Sequence, residues 1–295
     1  MIDEISDEKL LEIEKKAVRI RELIIEQLVE AGSGHTAGPL GMADIFAAFY
    51  FHILNHDPKN PDWEDRDRLI LSNGHICPVR YAAMALAGYF PQEELKTFRK
   101  INSRLQGHPH RTSLPGIETT SGPLGEGISQ SIGMALSAKM DGKNHHIYCF
   151  TSDGEHEEGN TWEALMFAAK YKIDNLCVVI DRNNIQIDGF TEDVMPLEVL
   201  SSKYASFNWQ VFEVDAHNIR MVVDTVREAC AVHQKPSVII AHTIPGKGVS
   251  FMENRFEWHG IPPDTADVAG APPKGEQAKK ALAELRAIRE KLDGN

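Results

Sequence analysis

Hydrophobic positions recur every three or four residues in the first segment of the chain, from Leu10 to Leu28. This spacing places the apolar side chains on one face of a helix. Ser6, which two acidic residues follow, is suited to cap the start of this helix, and Gly32 is suited to end it. The pattern therefore predicts a long amphipathic helix between Ser6 and Gly32.

The middle of the chain alternates between short apolar runs and segments of helical period. The apolar runs predict strands at residues 69–71, 147–151, 176–180, 211–214 and 238–241. Helical periods cover residues 128–140, 162–171 and 219–232. Such alternation is typical of a parallel sheet that helices cover on both faces. We therefore predict an α/β fold with a doubly wound, mostly parallel sheet.

The chain is predicted to divide into a body, residues 1–262, and a terminal part, residues 263–295. The segment from Pro262 to Pro273 is rich in proline, alanine and glycine, which predicts a loop. Apolar positions from Ala278 to Leu292 then recur at helical spacing. This last segment is predicted to be an amphipathic helix that docks either on the body or on a partner.

Charge and composition narrow the class of protein. The 295 residues include 31 Lys+Arg and 43 Asp+Glu, a net charge of −12, which disfavours binding to nucleic acid or to an anionic membrane. No apolar stretch approaches the roughly 18 residues that span a bilayer, and the first residues lack a basic segment before an apolar one. A cytoplasmic location is therefore expected. The four cysteines have no CxxC spacing and indicate neither a disulfide framework nor a zinc site.

Polar residues follow two of the predicted strands at the point where each strand ends. Asp153 comes after the strand at 147–151, and Asn183 comes after the strand at 176–180. If a crossover helix joins these strands as neighbours, the two side chains meet. Their side-chain oxygens suit Mg²⁺, which commonly binds the phosphates of a ligand as well. Gly154 has no side chain and would let a diphosphate come close to the main chain. The alternative is two ordinary strand-to-helix turns, where such residues are common for local reasons.

Glycines and histidines give a second signal. The segment Gly122 to Gly127 precedes a helix, but its spacing is not the GxGxxG motif, and tight packing of a loop on a helix is the alternative. Three of the 13 histidines directly follow glycine, and a fourth directly precedes one. These four are His35, His75, His108 and His259. Histidine readily moves protons near neutral pH, although a single histidine is more often a buried core residue.

Together these motifs resemble the amino-terminal half of transketolases, over roughly residues 10–262. That half binds the diphosphate of thiamine diphosphate, so the resemblance implies the thiamine diphosphate-binding fold. The segments that carry the resemblance occur in the order of the family: Ser33-Gly34-His35, Leu71-Ser72-Asn73-Gly74-His75, Gln106-Gly107-His108-Pro109, Gly122-Pro123-Leu124-Gly125-Glu126-Gly127, Ser152-Asp153-Gly154, and Asn183 with Ile185-Gln186-Ile187-Asp188-Gly189.

The resemblance also implies roles for individual residues. Asp153, Asn183 and the main-chain oxygen of Ile185 would hold magnesium or calcium. The cofactor contacts would come from His75, Gly122, Leu124, Asp153, Gly154, Glu158, Asn183 and His259. The catalytic residues would be His35, His108 and His259, which would bind sugar hydroxyls and move protons. Glu158 and Glu163 match acidic residues that lie near the subunit contact in the family.

The implied activity is transfer of a two-carbon ketol unit from a ketose, or ketose phosphate, to an aldose, or aldose phosphate, as in the pentose phosphate pathway. Two departures from the family matter. Ser152 replaces the first glycine of a Gly-Asp-Gly motif, and the chain ends at Asn295 without the pyrimidine-binding domain. We therefore expect the separate N-terminal subunit of a split transketolase, active only with a pyrimidine-domain partner subunit in a heterotetramer.

Three other hypotheses stay open. The chain could be the alpha subunit of a 2-oxo acid dehydrogenase, a ketolase for an unusual sugar, or a non-catalytic regulatory subunit that keeps the fold. His35 and His108 favour ketol transfer, because a decarboxylating enzyme has less need of several hydroxyl-binding histidines. The Asp153 and Asn183 pair argues against a non-catalytic role.

Overall fold

The structure is a computed structural model that describes residues 2–294. Its strands, in chain order, are β1 (Arg68–Leu71), β2 (Ile147–Ser152), β3 (Leu176–Arg182), β4 (Ile185–Gln186), β5 (Gly189–Phe190), β6 (Gln210–Asp215) and β7 (Ser237–His242). Five strands form one parallel sheet in the order β1-β2-β3-β7-β6. Each predicted strand is confirmed, one or two residues longer than its apolar run. The small antiparallel hairpin of β4 and β5 was not predicted.

The helices are α1 (Asp7–Ala31), α2 (Ala37–Gly41), α3 (Ala43–Ala48), α4 (Cys77–Ala87), α5 (Glu126–Met140), α6 (Gly159–Lys170), α7 (Thr191–Val194), α8 (Leu200–Ser206), α9 (Ile219–Cys230) and α10 (Gln277–Asp293). Short 3-10 or π turns cover Phe49–Ile53, Gly74–Ile76, Gln92–Thr97, Gly154–Glu157 and Phe256–Trp258. The predicted caps of α1 are confirmed. The Ser6 side chain accepts a hydrogen bond from the Lys9 amide at 3.2 Å, and Gly32 ends the helix with φ of 63°.

Both faces of the sheet are buried under helices. Because successive strand residues point to opposite faces, Tyr148 and Phe150 of β2 join the core formed with α1, α3, α4 and α9. Cys149 of β2 and Val178 of β3 join a second core, formed with α5, α6 and α8. The predicted doubly wound α/β architecture is therefore confirmed.

The final helix packs on the body of this chain. Ala281 and Leu285 of α10 are fully buried in the same core as α1. The Arg289 guanidinium donates to the carboxylate of Glu22 in α1 at 2.7 Å. The sequence left open whether this helix docks on the body or on a partner, and in the structure it docks on the body. The domain boundary at residue 262 stays a prediction. Within residues 2–294, no helix combines the length and apolar character that crossing a bilayer requires.

Candidate functional site

Asp153 and Asn183 follow neighbouring strands at the carboxyl edge of the sheet, where ligands bind in folds of this type. Helix α6 connects β2 to β3, and Ser152 at the end of β2 pairs with Asp181 in β3. The main-chain amide of Asn184 donates to Asp153 Oδ2 at 2.8 Å. The predicted arrangement of β2 and β3 as neighbours joined by one crossover helix is confirmed. The shared role of the Asp153 and Asn183 side chains stays a prediction.

The Asp153 carboxylate is buried and has two unequal oxygens. Oδ2 accepts hydrogen bonds from the Asn184 amide, from Arg182 Nη1 at 3.1 Å and from the Thr191 hydroxyl at 3.2 Å. Within residues 2–294, Oδ1 accepts one bond, from the Gly154 amide at 2.8 Å. Burial raises the pKa of Asp153, and the Arg182 guanidinium opposes that rise. Oδ1 is therefore the oxygen with capacity left for a metal ion.

The carboxamide of Asn183 is held in one orientation. Its Nδ2 donates to Asp181 Oδ2 at 2.8 Å, and its Oδ1 accepts from the Ile185 amide at 3.0 Å. Asp181 is fully buried, and burial raises its pKa to about 7, against hydrogen bonds from the Thr243 hydroxyl and Asn183. Because the amide nitrogen of Asn183 donates to Asp181, the amide oxygen of Asn183 is the atom that could bind a metal ion.

The chemistry of these donors fits a hard cation. No group of three or more histidine, cysteine, aspartate or glutamate side chains in the described part of the chain could hold a metal. A metal here would therefore depend on Asp153 together with the Asn183 amide oxygen and the main-chain oxygen of Ile185. Such a set of carboxylate, amide and carbonyl oxygens suits magnesium or calcium, with phosphate oxygens and water completing the shell.

Arg182 is a site residue that the sequence analysis missed. Its side chain is 2% exposed, and its guanidinium donates to Asp153, to Glu192 at 2.6 Å and to Glu198 at 2.8 Å. A buried cation requires partners of this kind, because desolvation of an unpaired charge is costly. The available signal was its position inside strand β3, two residues beyond the apolar run.

Three of the predicted histidines form a cluster. The ring centroid of His35 lies 4.8 Å from that of His75 and 5.3 Å from that of His259, and the last two are 5.6 Å apart. Burial lowers the pKa of His35 to about 3, that of His259 to about 4, and that of His75 well below its usual value. All three imidazoles are therefore neutral at pH 7, when each ring has one nitrogen that donates and one that accepts.

Unpaired polar atoms surround this cluster. Nδ1 of His35, Nδ1 of His259, both amide atoms of Asn73 and the Ser121 hydroxyl are buried without a hydrogen-bond partner in the described structure. Ser121 lies beside the His75 turn, since a Cβ on Gly74 would be 2.2 Å from its hydroxyl. Buried polar groups normally have partners. Their concentration around the histidines fits a ligand with several hydrogen-bonding groups. A diphosphate would supply acceptors, and the hydroxyl groups of a sugar would supply both donors and acceptors.

His108 lies beside the same cluster and is more exposed. Its ring lies 3.3 Å from the position of a Cβ on Gly74 and 4.0 Å from that of a Cβ on Gly122. Partial burial lowers the pKa of His108, and the charge of Arg99 adds to this effect. The structure thus brings all four glycine-adjacent histidines to one region.

The glycines of the 122–127 loop have two possible explanations, close approach of a ligand and tight packing of the loop on a helix. A Cβ on Gly127 would lie 2.4 Å from Ser72 Cβ, and one on Gly125 would lie 2.2 Å from Asn160 Oδ1. Tight packing therefore explains these two glycines. A Cβ on Gly122 would meet His108 alone within 4 Å, and one on Gly154 would meet Gln186 alone, at 4.0 Å. Gly122 and Gly154 are thus the glycines that leave room for a ligand.

The remaining predicted residues lie at the margin of the site. Leu124 is half-buried in the 122–127 loop. Glu158 is the N-cap residue of α6, and its exposed carboxylate makes no hydrogen bond within residues 2–294. Glu163 is exposed on the same helix. Their predicted roles in cofactor binding and at a subunit contact stay predictions.

Comparison with known proteins identifies relatives of matching length. A family model for the thiamine diphosphate binding domain of transketolase matches residues 13–277. A 6-deoxy-6-sulfo-D-fructose transketolase subunit from Clostridium sp. (strain MSTE9) is 42% identical over 254 residues, which cover 86% of this chain and 92% of that protein. An apulose-4-phosphate transketolase subunit from Actinobacillus succinogenes is 40% identical over 276 residues, which cover 93% and 96%.

Solved structures of longer proteins share the fold. The transketolase from Leishmania mexicana superposes with a TM-score of 0.81 at 31% sequence identity. The superposition covers 99% of this chain and 46% of the Leishmania chain, so the present chain spans about half of that enzyme.

Proposed function

The chain belongs to the transketolase family, as its thiamine diphosphate-binding domain, and on this premise we propose that it is the N-terminal subunit of a two-chain transketolase. Its reaction is the transfer of a two-carbon ketol unit from a ketose or ketose phosphate to an aldose or aldose phosphate. The observation that carries the proposal is the placement of candidate site residues at the carboxyl ends of three neighbouring parallel strands. Asp153 follows β2 and Asn183 follows β3. His75, which follows β1, lies in one cluster with His35 and His259. Relatives of similar length that are named as transketolase subunits support the two-chain arrangement.

Thiamine diphosphate and magnesium, or calcium, are the proposed cofactors. Asp153, Asn183 and Ile185 hold the metal ion through their oxygens. The diphosphate contacts come from His75, Gly154 and His259, and the aminopyrimidine contacts come from Gly122 and Leu124. When bound, thiamine diphosphate supplies the carbanion chemistry that breaks and forms the ketol carbon–carbon bond. The hydrogen bonds of Asp153 support its assignment as a metal ligand. Among the described residues, three donors engage Oδ2, whereas Oδ1 accepts one bond, from the Gly154 amide.

The histidines orient the sugar and move its protons. His35, His108 and His259 hydrogen-bond to the hydroxyl groups of the ketose. A neutral imidazole has one ring nitrogen that can accept a proton from a hydroxyl group, whereas a charged imidazole has none. Burial keeps His35 and His259 neutral at pH 7. Several hydroxyl-binding groups suit ketol transfer better than decarboxylation of a 2-oxo acid.

The sugar is proposed to be an unusual one. Two relatives of matching length are named for 6-deoxy-6-sulfo-D-fructose and for apulose 4-phosphate, which are not the same sugar but both carry an anionic group. We therefore place the substrate in the class of ketoses with a phosphate or sulfonate group.

A partner subunit that carries the pyrimidine-binding domain completes the proposed active site, in a heterotetramer of two copies of each chain. Helix α6 supports this assembly, because it exposes Met166 by 56% and Phe167 by 43%, and its C-cap residue Tyr171 is 49% exposed. Apolar side chains grouped in this way are typical of interaction surfaces. Glu158 is the N-cap residue of this helix and Glu163 lies on it, which agrees with their proposed position near the subunit contact.

Reconstitution tests this function. The purified chain and its pyrimidine-domain partner are assayed separately and as a mixture, with xylulose 5-phosphate, 6-deoxy-6-sulfofructose or apulose 4-phosphate as donor and an aldose phosphate as acceptor. Consumption of a donor in the mixture alone, dependent on thiamine diphosphate and magnesium, is the expected result. Turnover of pyruvate in place of every ketose would identify a 2-oxo acid enzyme. Association without any turnover would favour a regulatory subunit.

A further inference from the structure

Glu155 is fully buried where three segments of the chain meet. Its Oε1 accepts hydrogen bonds from the Gly125 amide at 2.8 Å and from the Ser72 hydroxyl. Its Oε2 accepts from the Ser152 amide at 2.8 Å. One carboxylate thus joins the residue after β1, the loop before α5 and the end of β2. Because both oxygens are engaged by the chain itself, this carboxylate is not available as a ligand.

The three joined segments are the ones that bear the proposed cofactor contacts. Ser72 lies three residues before His75, and Ser152 lies directly before Asp153. Gly125 ends the stretch that begins with Gly122 and contains the proposed aminopyrimidine contacts. This side chain therefore connects the diphosphate side of the proposed site to its aminopyrimidine side.

A second bond makes the connection between β1 and the loop stiffer. The Ser72 hydroxyl that donates to Glu155 also accepts from the Gly127 amide at 3.1 Å. Gly127 packs directly against Ser72, so no other side chain can replace this glycine without moving the loop. Ser72 and Glu155 thus form a continuous hydrogen-bonded link from the turn after β1 to the first turn of α5. Fully satisfied buried networks of this kind fix a single local geometry.

We propose that Glu155 is a positioning residue for the cofactor, which holds the 122–127 loop in register with the diphosphate-binding end of β2. This inference rests on the proposed function, because it concerns the site assigned to thiamine diphosphate. Loss of the link displaces the loop that contacts the aminopyrimidine and leaves the diphosphate contacts in place.

Two ligands separate positioning from a general structural role. Thiamine diphosphate with Mg²⁺ uses both sides of the site, whereas inorganic pyrophosphate with Mg²⁺ uses the diphosphate side alone. Calorimetric titration of both ligands into the full chain, alone and with its partner subunit, compares wild type with Ser72→Ala and Glu155→Gln. Ser237→Ala is the matched control, since Ser237 is an equally buried serine on β7 whose hydroxyl bonds to Ala229.

We expect Ser72→Ala and Glu155→Gln to weaken thiamine diphosphate binding at least about tenfold, because displacement of the 122–127 loop removes its contacts with the aminopyrimidine. Pyrophosphate binding should stay within about twofold of wild type, and Ser237→Ala should change neither affinity. Amide hydrogen exchange of the ligand-free chain gives a second readout. Exchange at Gly125 and Gly127 should accelerate in both variants, while exchange at Gly154 should not.

Equal weakening for both ligands, or unchanged affinity for thiamine diphosphate, overturns the positioning role of Glu155. Unchanged exchange at Gly125 and Gly127 overturns it as well. If the wild-type chain with its partner bound neither ligand, the proposed function would fail and this inference with it. If wild type bound thiamine diphosphate and the variants bound it equally well, this inference alone would fail.

Discussion

The guanidinium of Arg182 donates to Oδ2 of Asp153 at 3.1 Å, and the side chains of both residues are 2% exposed. Because Asn184 and Thr191 donate to the same oxygen, the carboxylate is oriented by the chain itself. Such supporting contacts set the direction in which a ligand oxygen points. Oδ1, which accepts a hydrogen bond from the Gly154 amide, is the oxygen that would bind the proposed metal ion.

Asp153→Asn should weaken magnesium-dependent binding of thiamine diphosphate by about 100-fold or more. The three donors around Oδ2 hold the amide oxygen of asparagine at that position. The NH₂ group then replaces Oδ1, and it cannot bind a cation. Calorimetric titration with and without Mg²⁺ measures the loss. Asp174→Asn, at a surface ion pair with Lys139, serves as the control and should bind as wild type does. Retained metal dependence in Asp153→Asn would contradict the assignment.

Arg182→Met should lower the free energy of unfolding by about 3 kcal/mol, because removal of one partner leaves the buried Asp153 charge unpaired. The control is Arg227→Met, which removes partly exposed ion pairs with Asp224 and Glu4 and should cost about 1 kcal/mol or less. Urea denaturation of the ligand-free chain measures both values. Equal costs for the two variants would show that the Arg182 contact is no stronger than a surface pair.

His35→Asn should lower turnover of the reconstituted enzyme by about 100-fold or more, the usual scale for loss of a positioned proton-transfer group. His35 is assigned to the sugar and not to the cofactor, so thiamine diphosphate affinity should change by less than about threefold. His233→Asn, at a histidine after α9 and away from the cluster, is the control and should keep full turnover. The assignment is wrong if His35→Asn loses cofactor affinity in proportion to turnover.

The histidine cluster should make stability fall in acid. Burial lowers the pKa of His35 to about 3 and that of His259 to about 4, whereas an unfolded histidine has a pKa of about 6.5. Between these values the unfolded chain binds more protons, so the contribution of these groups falls as pH decreases from about 6.5. The buried carboxyls of Glu155 and Asp181 have pKa values raised to about 7, and they contribute the opposite slope.

Comparison with a double variant isolates the histidine effect. Between pH 7 and pH 4, His35→Asn/His259→Asn should lose less unfolding free energy than wild type, by about 1 kcal/mol or more. Urea denaturation at several pH values measures the difference, and the carboxyl contribution cancels because both proteins keep Glu155 and Asp181. Parallel pH profiles would contradict the effect of burial on the histidine pKa values.

Phe167→Asp should weaken association with the partner subunit by about tenfold or more, since it places a charge in the exposed apolar surface of α6. Its exposure of 43% means that the fold of the chain should tolerate the change. Met221→Asp on α9, at a residue 47% exposed, is the matched control. Sedimentation velocity with the partner compares the variants. Unimpaired association of Phe167→Asp would exclude this face of α6 from the interface.

Much of the fold could be predicted because hydrophobic periodicity reports directly on burial. The strands β2, β3 and β7 are continuous apolar runs, as expected for strands covered on both faces. The β4 and β5 hairpin could not be predicted in this way, since each strand has two residues and Gln186 and Gly189 lack an apolar pattern. The apolar face of α10 was visible in the sequence, but its target, α1, was not.

The proposed site shows a similar division. Asp153 and Asn183 could be paired in advance, because strands joined by one crossover helix commonly lie side by side. Arg182 could not be assigned, since its partners Glu192 and Glu198 come from a later segment of the chain. Glu155 lies in an acidic segment of the sequence, and nothing in that segment distinguishes it from Glu157 and Glu158. In the structure Glu155 is buried, whereas Glu157 and Glu158 are exposed.

Transfer of isotope label tests the central claim most directly. A ketose donor labelled with ¹³C at carbons 1 and 2 is incubated with an unlabelled aldose acceptor, thiamine diphosphate, Mg²⁺ and the chain mixed with its partner subunit. Mass spectrometry of the products then follows the label. The account predicts a ketose two carbons longer than the acceptor, with both labelled carbons, formed only when both chains are present. Label that appears in a one-carbon or released product, or the same transfer by this chain alone, would contradict it.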